Sequence, residues 1–186
     1  PGERTDITVR PEGIVEIVIG TQPTGQGQET SFAQVAADFM GIDVDLVKII
    51  IGDTDVVKSG GGSHSGRSMR QAGTVIYLGC QDLVDKGRRI AAIILEVNSE
   101  EVEMLSGSFI VPRLAKTIGW FEIAKASRSL DLPDDLANGL TVTRENEMDV
   151  AVFPNGCAAC EVEVEPDTGV VTVERYVAVD DVGRVI

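Results

Sequence analysis

The sequence predicts an α+β fold of mixed sheets with a short helix and one long helix. Two observations carry this. Apolar and polar residues alternate with a period of two across residues 5–20 and again across 160–179, the pattern of half-buried strands. Between them, Met69, Ala72, Ile76, Cys80, Leu83, Gly87, Ile90 and Ile94 recur at spacings of three and four, which marks one helix face.

The first alternation, TDITVRPEGIVEIVIG, breaks at Pro11-Glu12-Gly13 and reads as a hairpin. It runs into GTQPTGQGQETSFAQ, a glycine-rich turn before a helix expected over residues 31–40. Ser31 and Gln34 have capping-box spacing, Phe32, Val35, Ala36 and Phe39 form an apolar face, and Gly41 suits the position after the last turn. LVKIIIGD predicts a buried strand ending at Gly52. From residue 53 to 65 the chain is polar and glycine-rich, and the long helix is expected over 67–97, roughly 45 Å at ~1.5 Å per residue. Gly73, Gly79 and Gly87 each weaken such a helix by up to about 1 kcal/mol relative to Ala, so close packing against a neighbour is expected at all three.

Residues 100–149 are less regular. Strand-like pieces at 102–104, 109–111 and 140–143 are joined by loops, with SLDLPDDLANG as an exposed connection. CEVEVEPDTGVVTVERYVAV is the clearest hairpin, turning at Pro166-Asp167-Thr168-Gly169. The sequence stops at DDVGRVI straight after a strand, which predicts a single fragment over 1–186 of a longer chain, without its preceding and following segments.

Composition narrows the function classes. With 43% hydrophobic residues in 186, the chain can bury a core. A net charge of −14, from 16 Lys+Arg against 30 Asp+Glu, argues against nucleic acid and against anionic membrane surfaces. No apolar run approaches the roughly 20 residues of a membrane span, and the first residues carry no secretory leader pattern. Three cysteines fit a reducing compartment, so a cytoplasmic protein is expected.

Two stretches suit an anion. In GQGQET, Gly25 and Gly27 let backbone N–H groups approach a ligand at a helix entry, and the amides of Gln26 and Gln28 both donate and accept. The stretch has neither the Lys-Ser/Thr of a Walker loop nor a full dinucleotide fingerprint, and on spacing alone it reads equally as a tight strand–helix turn. In GGGSHSGRS, the hydroxyls of Ser63, Ser65 and Ser68 and the backbone of Gly66 stand at a second helix entry, where Arg67 adds charge. Alone, this stretch reads as well as a surface loop with an N-cap serine. His64, the one histidine, lacks partners at metal-ligand spacing and reads as a loop residue. Cys157 and Cys160 lead into a strand and not into the helix N-terminus that activates redox thiols, so Cys160 is expected to pack inward. Asp180 and Asp181 in VDDVG read either as a solvated turn or as acceptors for a ligand's amino groups.

Together these stretches resemble the molybdopterin-binding large subunit of the xanthine dehydrogenase, aldehyde oxidase and carbon monoxide dehydrogenase family. TGQGQETSFAQ resembles that family's cofactor loop and following helix. GDTD, the GGGSHSGRSMR loop and its helix resemble a second cofactor segment, and FPNGCAACEVEVEPDTGVVTVERYVAVDDVG a third. The resemblance implies an oxidoreductase whose molybdenum cofactor is a molybdopterin, as the cytidine dinucleotide in bacteria. Gly25, Gln26, Gly27 and Gln28 would line it, residues Ser63, His64, Ser65, Gly66, Arg67 and Ser68 would meet its phosphates or pterin, and Asp180 and Asp181 would lie at the nucleotide end. It further implies FAD and 2Fe-2S centres on partner subunits or domains, and a small-molecule substrate chosen by residues outside this sequence. Where the family often carries a histidine after the Gly-Cys of the third segment, Ala158 stands here. The glutamate that serves the family as general base lies in a stretch this sequence does not contain, so the fragment alone is expected to be inactive. Without the resemblance, the same residues also suit a non-catalytic module for a phosphorylated small molecule, and Cys157 and Cys160 a thiol redox or metal protein.

Overall fold

Alternation decides the first sheet. Glu3, Thr5, Ile7 and Val9 of β1 (Glu3–Arg10) and Val15, Ile17 and Ile19 of β2 (Ile14–Ile19) are buried, while the residues between them are not. The two strands pair antiparallel around Gly13, whose φ of 98° suits glycine. Long-range pairing then extends the sheet on both sides. In this computed structural model, which describes residues 2–64, 66–148, 150, 152–153, 155–183 and 185, β3 (Val47–Ile50) lies parallel to β2, and β7 (Thr141–Asn146) antiparallel to β1. The order is therefore β3-β2-β1-β7. As an edge strand β3 is only half-buried and ends at Ile50, short of the buried strand to Gly52 that its apolar run predicts.

Helix α1 (Gln28–Met40) begins three residues before the expected start. Gly27, in the left-handed region at φ 74°, ends the loop there and no side chain caps the helix; the Ser31 hydroxyl donates instead to the Gln28 carbonyl. At the other end Gly41 takes the expected left-handed position, and its N–H reaches the Ala37 carbonyl. The long helix runs over 28 residues. Its first turn, Ser68–Gly73, is a wide π-turn, and α2 proper is Thr74–Leu95. Apolar spacing does not distinguish the two, because both place the same residues toward the core. Buried residues of α1 and α2 join Ile7, Val9, Val15, Ile17 and Ile19 in one hydrophobic core.

A second sheet, β4 (Glu103–Leu105), β5 (Ser108–Val111) and β6 (Lys116–Gly119), is antiparallel throughout. It leads into α3 (Trp120–Ala126), which like β6 carries too short a pattern to stand out in sequence. Trp120 is buried, donates from Nε1 to the Met40 carbonyl at 2.9 Å, and meets the Phe109 ring edge-on at 4.6 Å. The 129–139 connection is not wholly exposed: a 3-10 turn, Asp134–Leu136, drives Leu136 into the core. Lys86 of α2 holds the end of that connection, donating to the Asn138 side chain and to the carbonyls of Gly139 and Thr141.

The chain divides into two compact units, Pro1–Asp149 and Val150–Ile186. The second is a ribbon of β8 (Asn155–Val164) and β9 (Val171–Asp181), paired antiparallel with an irregularity at Glu161/Val162. Every described residue in it is exposed, because a two-stranded ribbon has no layer of its own to cover either face. Cys160 therefore does not pack inward. It is exposed, as is Cys157.

Candidate cofactor-binding site

Two loops converge at the starts of α1 and α2. In the first, Gly25 and Gly27 hold φ values of 115° and 74°, with open space where a Cβ would stand. Backbone conformation, not crowding, requires glycine at both. Gln26 between them accepts a bond from the Thr24 N–H at 2.5 Å and donates from Nε2 to Ser63 Oγ at 3.2 Å. Ser63 Oγ lies 2.7 Å from Ser68 Oγ. The two sequence-predicted segments are thus joined by a chain of three side chains from Gln26 to the π-turn that opens the long helix.

Donor counting gives this chain a direction. Gln26 occupies a lone pair on Ser63 and none of the hydroxyl hydrogens. One of the two O–H groups makes the Ser63–Ser68 bond, whichever way it points, and among the described residues the other has no assigned acceptor. Gln28 adds an orphan of its own. It is 7% exposed at the first position of α1, and its Oε1 is buried without a partner among the described residues. The uncapped start of a 13-residue helix, the paired Ser63 and Ser68 hydroxyls and a buried amide together suit a ligand rich in acceptors that also carries N–H donors.

Arg67 is buried beside the second loop. It is 5% exposed and turned into the body of the unit. Nη1 donates to Glu3 Oε2 at 3.1 Å, Thr21 Oγ1 at 3.4 Å and the Gly62 carbonyl. Nη2 donates to Gln71 Oε1 at 3.2 Å and the Gly2 carbonyl at 3.4 Å. Glu3 Oε2 also accepts from the Thr21 hydroxyl at 2.7 Å and the Gly61 N–H at 3.4 Å. Neither Glu3 nor Thr21 is singled out by motif. The available signal was phase, since Glu3 falls on the inward face of β1 with Thr5, Ile7 and Val9.

The remaining predicted residues are placed as follows. His64 is exposed, and its carbonyl accepts the Arg67 N–H at 3.0 Å. Gly66 is exposed with φ 69°. Ser65 lies outside the described residues. Asp180 and Asp181 close β9 in the second unit: Asp180 pairs with Gly156, and Asp181 Oδ1 accepts the Gly183 N–H at 3.0 Å. A shallow cavity of about 480 Å³ lined by Gly2, Glu3, Arg4, Ser59 and Glu145, among others, opens where Glu3 begins β1 and involves none of the predicted ligand contacts. Among the described residues no group of three or more His, Cys, Asp and Glu is arranged to hold a metal ion, and no helix is long and apolar enough to cross a membrane.

Comparison with known proteins identifies the family of the chain. The family model of the molybdopterin cofactor-binding domain matches residues 1–186. The carbon monoxide dehydrogenase large chain of Afipia carboxidovorans is 33% identical over 184 residues, which cover 97% of this chain and 22% of that one. The 6-hydroxypseudooxynicotine dehydrogenase complex subunit gamma of Paenarthrobacter nicotinovorans is 31% identical over 185 residues, 99% of this chain and 23% of its own. Among solved structures, a Cu,Mo-CO dehydrogenase aligns with a TM-score of 0.87 at 32% identity, over 96% of this chain and 22% of that chain. Quinoline 2-oxidoreductase from Pseudomonas putida 86 aligns with a TM-score of 0.83 at 28% identity, over 98% of this chain and 23% of that one. The chain thus spans under a quarter of the length of the relatives it matches.

Proposed function

The chain belongs to the molybdopterin cofactor-binding domain family, and on that premise we propose that it cradles the molybdenum cofactor of an oxidoreductase large subunit through the two loops that meet at Gln26 and Ser63. The observation that carries this reading is the Gln26–Ser63–Ser68 chain, which joins the two loops through side-chain hydrogen bonds. When bound, the cofactor supplies the redox chemistry of such an enzyme. This chain's own part is binding and orientation. Ser63 or Ser68 donates to an acceptor oxygen, the free N–H groups at the start of α1 favour a phosphate, and Gln28 Oε1 accepts from an N–H of the pterin.

The cofactor form we favour is the cytidine dinucleotide, with Asp180 and Asp181 as acceptors for amino groups at its nucleotide end and Gly25, Gly27, His64, Ser65 and Gly66 shaping the loops. The catalytic glutamate belongs to a part of the polypeptide outside this sequence, and FAD and 2Fe-2S centres to partner subunits or domains in the cytoplasm.

Binding of molybdopterin cytidine dinucleotide to the chain, followed by calorimetry or fluorescence of the pterin, tests the reading. Ser68→Ala, through loss of a hydroxyl bond to the ligand, and Gln26→Ala, through loss of its hold on Ser63, should each weaken binding about tenfold. Full affinity in both variants would remove the two loops from the site.

A further inference from the structure

Arg67 stands between Gly66 and Ser68, inside the loop proposed to receive the cofactor, yet its side chain leaves that loop for β1. Among the described residues its Nη hydrogens face acceptors on Gly2, Glu3, Thr21, Gly62 and Gln71. Glu3, with its side chain wholly buried, collects three donors on one oxygen, from the segment after β2 (Thr21), from the 60–68 loop (Gly61 N) and from Arg67. Glycines make the fit possible. A Cβ on Gly60 would overlap the Gly20 backbone, and one on Gly61 would overlap the Arg67 guanidinium.

We propose that the buried Glu3–Arg67 pair is a latch that holds the 60–68 loop in its ligand-receiving shape, making both side chains positioning residues for the Ser63–Ser68 hydroxyls and not ligand contacts. The latch itself stands on the hydrogen-bond geometry; its effect on cofactor affinity rests on the proposed function. Taking away the Glu3 charge breaks the buried ion pair of the guanidinium, a loss that is relieved by Arg67 moving outward and with it the backbone on either side. Ser63 and Ser68 then lose their common register, and Gln26 its partner.

The competing assignment, in which Arg67 meets an anionic ligand directly, predicts the opposite sign. Glu3 would then compete with the anion for one cation, and neutralising Glu3 would tighten binding. The test compares the unmodified chain with Glu3→Gln and Thr21→Val in two measurements: affinity for molybdopterin cytidine dinucleotide, with pyrophosphate as a simple anion probe, and amide hydrogen exchange across residues 60–68. Glu3→Gln should weaken cofactor binding about tenfold or more and speed exchange in the loop about tenfold, with β1 and β2 amides unchanged. Thr21→Val, which removes the hydroxyl that bonds to both Glu3 and Arg67 and leaves the ion pair, should shift both in the same direction by less, and serves if Glu3→Gln fails to fold. Tighter binding of either ligand by Glu3→Gln, or unchanged loop exchange in the folded variants, overturns the latch. If the unmodified chain binds neither ligand the proposed function fails, while loop exchange still decides the latch.

Discussion

Burial separates the three thiols. Cys80 is fully enclosed on α2, and desolvation pushes its thiol up to about 12, whereas Cys157 and Cys160 are exposed on β8. An aromatic disulfide reagent at neutral pH should therefore titrate two thiols in the native chain and three in denaturant. The same burial has a linkage consequence. An unfolded thiol ionises near about 8.5, so above that pH the folded state binds more protons than the unfolded one. The Cys80 contribution to stability is thus complete below about 8.5 and falls as pH rises toward about 12. Cys80→Ala should flatten the decline in melting temperature across that window, and an equally steep decline in the variant would locate its cause elsewhere. Arg67 marks the limit of residue-level reading. In sequence it is a cation in a glycine-rich loop at a helix entry, which reads as an anion contact. The fold pairs it with Glu3, 64 residues away, a partner that no local motif names.

Elements show where packing overrules propensity. Of the three glycines expected to pack closely on the long helix, two do. A Cβ on Gly87 would overlap the Phe109 ring, and one on Gly79 would press on Ile7, whereas Gly73 has only the Met69 terminal methyl at 3.4 Å. Helix propensity favours Ala over Gly by up to about 1 kcal/mol, while overpacking a core costs about 1–3 kcal/mol. Gly87→Ala should therefore lower stability by about 1–2 kcal/mol, and Gly73→Ala should raise it by about 0.5–1 kcal/mol. Urea midpoints of the two variants check both signs, and a stabilised Gly87→Ala would mean that the Phe109 ring moves aside at little cost. Elements with long periodic patterns, β1, β2, α1, α2 and the β8–β9 ribbon, were legible in sequence. The π-turn, β6 and α3 were not, since each is too short to repeat a pattern. The start of α1 was misplaced because the backbone conformation of Gly27, and not a serine side chain, ends the loop before it.

For the whole molecule, the distribution of burial matters more than the number of elements. All buried residues among those described lie between Glu3 and Val142, in the first unit. The ribbon carries Val162, Val164, Val171, Val173, Tyr176 and Val179, each at least 47% exposed. Its alternation was visible in sequence, but alternation says only that two faces differ and not whether either is covered. Two strands with no buried face are at best marginally stable, and local stability follows buried contacts. The single tryptophan, Trp120, is buried in the first unit and reports on that unit alone. In mild urea, amides of β8 and β9 should exchange fully while Trp120 emission remains native and amides of β1 and β2 stay protected. Equal protection of the ribbon and of β1–β2 would show that the ribbon draws stability from more than its own ladder. The same measurement with molybdopterin cytidine dinucleotide present tests the reading of Asp180 and Asp181, because a ligand held at the end of β9 must slow exchange there by mass action.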